Sequence, residues 1–336
     1  MFLPRRKFLL FNAMVLAVAG VVSLSVFGQF QGPGAPPPPL PNSGPPMGNG
    51  GITRGGGRRG GGLGTGGGFG GGMRGGGGRG MGGATNRAYT IRDPAELEMV
   101  DKMQKALNPA FVNDVFSFSR LKYGYESMGF GRYWDDDSPD ADLNVAYRLF
   151  QITSLKIHPY YNYIDITAAD LARNPFVYMT VTRGMALTDD ECKALRTYFE
   201  KGGFMMAEDF WGDDMWEFAY SQFKRIFPDR EIVELPLSHP IFHTVFDFKY
   251  LPQMPSAGRG YSGVSYDNAY YPTGDHFPHY YAVFDDHDHI MALICRNNHY
   301  GDGWEHEGDN HDYFDNFSMP QAYPMFINIV FYAMTN

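Results

Sequence analysis

Carboxylates and tryptophans share the same short stretches of this 336-residue chain. Trp134 precedes Asp135, Asp136 and Asp137. Trp211 lies within Glu208-Asp209-Phe210-Trp211-Gly212-Asp213-Asp214, with Trp216 just after, and Trp304 stands in Gly301-Asp302-Gly303-Trp304-Glu305. An aromatic face packs on the apolar C–H groups of a sugar ring, while carboxylates accept bonds from its hydroxyls. Two carboxyls facing one cleft can also divide acid and base roles across a glycosidic bond. Glu208, Asp209, Asp302 and Glu305, with His239, are therefore the candidate catalytic residues. Arg120, Tyr123, Trp134, Trp211 and Trp304 are the candidate ligand-binding residues. Each has a plainer alternative. Trp can cover a loop while Asp caps the next helix, and Asp213 or Asp214 suits the start of a helix over 213–227. Arg120 can pair with a carboxylate such as Asp142 or Asp209.

Histidine crowds the last third of the chain, with His239, His243, His287, His289, His299, His306 and His311. Metal binding needs three or four convergent ligands, and spacing alone supplies only pairs. No metal site or cofactor is assigned on that basis. The open alternative is a divalent ion held by the same acidic loops with His239 or His299. No glycine-rich phosphate loop follows a strand, and there is no G-x-S-x-G elbow. Cys192 falls mid-helix and Cys295 leads into Arg296-Asn297-Asn298, contexts that disfavour thiol catalysis. The two cysteines either pair or stay as buried thiols.

The elements that must position these residues alternate. Asp93-Pro94-Ala95-Glu96 opens a helix running to about Leu107. A strand is expected over 115–121, a Gly/Trp/Asp loop over 123–139, and a helix over 140–153. Short strands follow at 163–166 and 175–181. Thr188-Asp189-Asp190-Glu191 is a capping box for a helix that Gly202-Gly203 stops. Residues 204–207 read as a buried strand, 213–227 as a helix, and 231–235 as an edge strand. Residues 236–285 show no clear period. A strand over 290–295 and a helix over 320–334 complete the chain. The middle strands lack polar alternation, so the fold class is α/β, a mainly parallel sheet with helices on both faces. Ligands of such sheets bind beyond the carboxyl ends of the strands.

Charge divides the chain in two. The first 92 residues hold ten Lys/Arg and no acid, whereas residues 93–336 hold 18 Lys/Arg and all 37 Asp/Glu, a net of −19. Residues 1–28 read as a signal peptide or membrane anchor, with Arg5, Arg6 and Lys7 before an apolar run to Phe27. RRKFLL also matches a twin-arginine pattern. Residues 29–92 are a Pro/Gly-rich linker too poor in apolar surface to fold. Residues 93–336 form the folded part. Placement in the periplasm or outside the cell is expected, with membrane contact through the first segment if it stays uncleaved. The acidic charge argues against nucleic acid as a partner.

Several segments, taken in order, resemble a known family: FSFSRLKYG, a Trp followed by DDDSPDADLNVAYRL, NPFVYMT, LTDDECKALRTYFEKGGFMMAEDFWG, LSHPIFHTVFDF and YGDGWE. Together they resemble the bacterial domain-of-unknown-function family 4159 over about Val115 to Asn336. That resemblance implies a fold like the class I glutamine amidotransferases, and 187–209 is similar to the trehalose-utilisation branch. There a His follows the unit; here Glu208-Asp209 stands in its place. The glutaminase Cys-His-Glu triad is also absent, so the resemblance implies a fold and no glutamine hydrolysis. Three functions remain open: a silent module binding a glycan or envelope component, a carbohydrate-active enzyme using the strand-end acids, and a divalent-metal site.

Overall fold

A computed structural model describes residues 94–111, 114–125, 134–181, 185–265 and 274–336. The signal segment, the Pro/Gly-rich linker and the Asp93 cap lie outside these residues. No helix among the described residues is long and apolar enough to cross a membrane.

Helix α1 (Pro94–Ala106) comes first. It is followed by β1 (Ser119–Lys122), the short β2 (Gly124–Tyr125), α2 (Asp140–Ile152) and β3 (Asn162–Asp165). A single turn, α3 (Ala168–Leu171), leads to β4 (Phe176–Thr180) and β5 (Met185–Ala186). Then come α4 (Asp189–Glu200), β6 (Phe204–Glu208), α5 (Gly212–Ile226) and β7 (Val233–Glu234). The last third holds α6 (Ala257–Gly260), β8 (His279–Phe284), β9 (Ile290–Arg296) and α7 (Tyr300–Glu305). The chain closes with α8 (His311–Tyr313), a π-helical stretch over Phe314–Ala322, and α9 (Tyr323–Thr335).

Seven strands make one sheet in the order β3-β1-β4-β6-β9-β8-β7. β3, β1, β4, β6 and β9 run parallel, and β8 and β7 add an antiparallel edge. β2 and β5 form a separate antiparallel pair. The parallel strands are apolar along their length because both faces are covered. Phe176, Tyr178, Phe204, Met206 and Leu293 pack with α2 and α9 on one side. Val177, Met179, Met205, Ala207 and Ile294 pack with α4 and α5 on the other.

Most expected elements form, and the departures have local causes. The capping box is made: Thr188 accepts from the Glu191 amide and Glu191 reaches back to the Thr188 amide. Gly202 ends α4 at φ +89°, a backbone that L side chains rarely adopt. The strand expected over 115–121 begins later, because Phe116 makes only an isolated bridge to Ile157. The aperiodic stretch 236–285 contains β8, whose six residues include three buried ones that do not alternate strictly. Pro320 does not open the last helix but sits inside the π-helical turn before α9. GDGWE, read as a loop, is the body of α7. Cys192 and Cys295 are buried free thiols on opposite faces of the sheet.

Candidate functional site

Three chain segments meet at the carboxyl edge of the parallel sheet. Asp209 follows the last residue of β6, and His299 lies three residues beyond β9. Asp136 and Asp137 lie in the turn that enters α2. An antiparallel bridge between Phe210 and Asn298 holds the second segment to the third, and the Asn297 amide donates to the Phe210 carbonyl at 2.9 Å. The backbone is left-handed at Asp137 (φ 62°), Asp209 (φ 70°) and Asn297 (φ 57°). Asp and Asn tolerate that region better than other non-glycine residues, and such positions concentrate at functional sites.

His299 is the centre of the cluster and is 2% exposed. Its Nε2 lies 3.1 Å from Asp137 Oδ2 and 3.3 Å from Asp209 Oδ1, while Nδ1 lies 3.4 Å from Asp302 Oδ2. Ligand-capable atoms of Asp136, Asp137, Asp209 and His299 all lie within 4.8 Å of one another. Burial works to lower the His299 pKa, but Asp209, Asp302 and Asp137 outweigh it and hold the imidazole well above its ordinary range. Burial pushes Asp209 well above the usual carboxylate range, opposed by His299 and reinforced by Asp137. Burial also raises Asp302, again opposed by His299. Two arginines near the cluster, one within β1 and one ending β9, are committed elsewhere. Arg120 binds Asp142, and Arg296 reaches Asp213 at 2.5 Å. Negative charge thus exceeds positive charge in a buried site, a condition that shared protons or a cation relieve.

Not all the residues expected from the sequence converge. Glu208, Asp209 and Asp302 do. Glu305 stands on the flank, where it and Asp302 form a second group with His306. His306 is pushed up to about 9 by its bond to Glu305, against its burial, with Asp309 adding to the rise. His239 lies elsewhere: it accepts from the Ile241 amide, and its ring packs near Phe284 and Tyr332. Trp304 is a core residue, fully buried among Phe118, Tyr178, Tyr300 and Phe326 at centroid distances of 5.2–6.0 Å. Trp211 is buried as well, so neither ring offers a face to a sugar. Trp134 is half-buried beside the acids, edge-on to Tyr163 at 5.2 Å. Tyr123 donates to the Thr180 carbonyl at 2.5 Å. Arg120 is fully buried and paired to Asp142, the plainer of its two readings. Asp136 and Asp137 belong to the acid run after Trp134, which in sequence reads most simply as helix capping; nothing local shows that the run turns inward.

Glu208 has a different job from Asp209. Its carboxylate is fully buried and accepts from the Tyr178 hydroxyl, the Tyr300 amide at 2.7 Å and the Gly301 amide at 3.3 Å. Those bonds fix the turn that carries His299 and Asp302. Burial raises its pKa from 4.5 to about 7, against His299 and Tyr178. The folded carboxyl holds its proton more tightly than the unfolded chain does. Its stabilisation is therefore fully present below about pH 4.5 and lost as pH rises through about 7. Glu208→Gln should flatten the stability–pH curve across that window, read by denaturant midpoints at successive pH values. An unchanged slope would count against the assignment.

Gly301 has a steric role at the same turn. A Cβ built there would lie 2.0 Å from Asp137 Oδ2. Gly301→Ala should therefore displace the Asp137 carboxylate from His299. The expected signature is a lost Asp137–His299 contact in a crystal structure of the variant; a contact kept near 3.1 Å contradicts it.

These features define a class: an α/β protein whose parallel strands follow the flavodoxin-like order, with a buried carboxylate–imidazole cluster beyond their carboxyl ends. The chain belongs to the family described as Domain of unknown function (DUF4159), which matches residues 117–334. No curated protein matches the chain.

Proposed function

We propose that this domain holds a divalent cation on Asp136, Asp137, Asp209 and His299, and that the site acts hydrolytically on a neutral, oxygen-rich ligand of the carbohydrate class. The observation that carries the reading is the two-sided environment of His299. Nε2 faces the carboxylates of Asp137 and Asp209, whereas Nδ1 faces Asp302, itself anchored by the Ala257 amide at 2.6 Å. Metal-ligating histidines commonly donate their second N–H to a carboxylate in this way. Three carboxylates and one imidazole suit a divalent ion of the manganese, iron or zinc type. Metal–ligand bonds of about 2.1 Å put donor atoms about 3–4 Å apart, compatible with the observed spread. A bound cation would supply Lewis acidity and an activated water.

The protein's own groups set the rest. Asp302 fixes the tautomer of His299, and Asp209 presents its carboxylate from a left-handed turn. The absence of an uncommitted arginine among the described strand-end residues favours a neutral ligand over an anionic one. Trp134 is the one of the three proposed stacking tryptophans with surface beside the acids. Kinship with amidotransferase-like folds, without their glutaminase chemistry, forms part of this proposal, as do export and placement in the envelope. The leader's basic start and apolar run support that placement. A binding module without turnover is the second reading, favoured by Glu208, whose oxygens are already bonded within the fold.

Chelator-stripped protein, reloaded separately with manganese, zinc, magnesium or calcium, should release reducing ends from polysaccharide or cell-wall fragments only in the loaded form. Cation binding with ligand-dependent thermal shifts and no product would select the binding module. Absence of cation binding would remove the proposal.

A further inference from the structure

We propose that Arg120 is a positioning residue for this site, acting through the backbone of the segment that carries Asp136 and Asp137. This rests on the cation reading above. Arg120 sits at the middle of the switch between β3, β1 and β4, paired in register with Tyr163 and Tyr178. Its Nε and Nη2 hold Asp142 at 2.6–3.2 Å. Its Nη1 donates to the Asp136 carbonyl at 2.8 Å, the Trp134 carbonyl at 3.2 Å and Thr180 Oγ1 at 2.8 Å. The guanidinium also lies 4.8 Å from the centroid of the Tyr178 ring. One planar fork thus ties α2, β4 and the 134–137 turn together, a geometry that a lysine ammonium cannot reproduce. Tyr178 in turn donates to Glu208, so both halves of the cluster meet in the same buried network. A residue within a central strand that touches no ligand can thereby set where two ligand carboxylates stand.

The test compares wild type, Arg120→Lys and Thr180→Val by two readouts. The first is manganese affinity by titration. The second is the low-field proton resonance of His299 Nε2–H, which reports the 3.1 Å contact to Asp137 without any metal. Arg120→Lys should weaken manganese binding about 10- to 100-fold, the range for outer-sphere partners. It should also shift or broaden the His299 resonance while cooperative melting is retained. Thr180→Val should move both readouts in the same direction and less. Wild-type affinity and resonance in a folded Arg120→Lys would overturn the proposal. If that variant fails to fold, Thr180→Val decides by the same comparison. If wild type binds no manganese, the cation reading falls, and the His299 resonance still decides the role of Arg120.

Discussion

Replacing Asp142 with alanine should destabilise the domain by about 3–5 kcal/mol, because it leaves a buried guanidinium without its counter-charge. Arg120 and Asp142 both have fully buried side chains, and their closest contact is 2.6 Å. Burial pulls against the charged arginine, and Asp142, with Tyr178 and Asp137, outweighs that effect and keeps it ionised. The remaining acceptors of Arg120 are two carbonyls and a hydroxyl, which carry no charge. In a domain of this size the loss corresponds to roughly 6–20 °C in melting temperature. Asp165→Ala is the matched control. Its pair with Lys122 is at 2.7 Å, but the Asp165 side chain is largely exposed. Exposed pairs contribute about 0–1 kcal/mol. Equal melting shifts for the two variants would contradict the buried-pair account.

Asp209→Asn should move stability and cation affinity in opposite directions. Burial raises the Asp209 pKa well above the ordinary range, so its ionised form costs free energy at neutral pH. Asparagine keeps the shape, lacks the charge and tolerates φ 70° at least as well. The variant is expected to melt at a higher temperature while losing at least 100-fold in manganese affinity, more than an outer-sphere change causes. Such opposition is expected where a site is held in an unfavourable state for function. Glu305→Gln, altering a carboxylate on the flank, should leave manganese affinity within a few-fold. If Asp209→Asn bound manganese as tightly as wild type, Asp209 would not be a ligand.

The alternation of elements was legible because β4, β6 and β9 are short, fully buried apolar runs, and a capping box and glycines mark the ends of α4 between two of them. Thr188 and Glu191 announced α4, and the unbroken hydrophobicity of 204–207 announced a sheet covered on both faces. The place of Asp209 just beyond β6 also followed from the sequence, whereas Asp302, expected in a loop, lies within α7. The direction of each side chain did not follow. Trp211 and Trp304 share short segments with acids, yet their rings turn into the core while Asp209 and Asp302 turn toward His299. That choice depends on β1, α2 and α9 packing from far along the chain. His239 drew attention through its spacing with His243, but it caps a 3-10 turn (Pro240–Phe242) and its ring packs beside Phe284 and Tyr332, away from the site. His299 carried a quieter signal, its place just beyond the apolar run of β9. The convergence of Asp136 and Asp137 needed Arg120, whose long-range bonds no local pattern encodes.

Calorimetric titration of manganese into chelator-stripped protein, repeated in buffers of different ionisation enthalpy, tests the central claim most directly. His299 is held well above its ordinary pKa, so it must give up its Nε2 proton to become a ligand. One cation per chain is expected, with release of at least one proton at neutral pH and affinity that rises with pH. Binding without proton release, or no saturable binding at all, would contradict the claim.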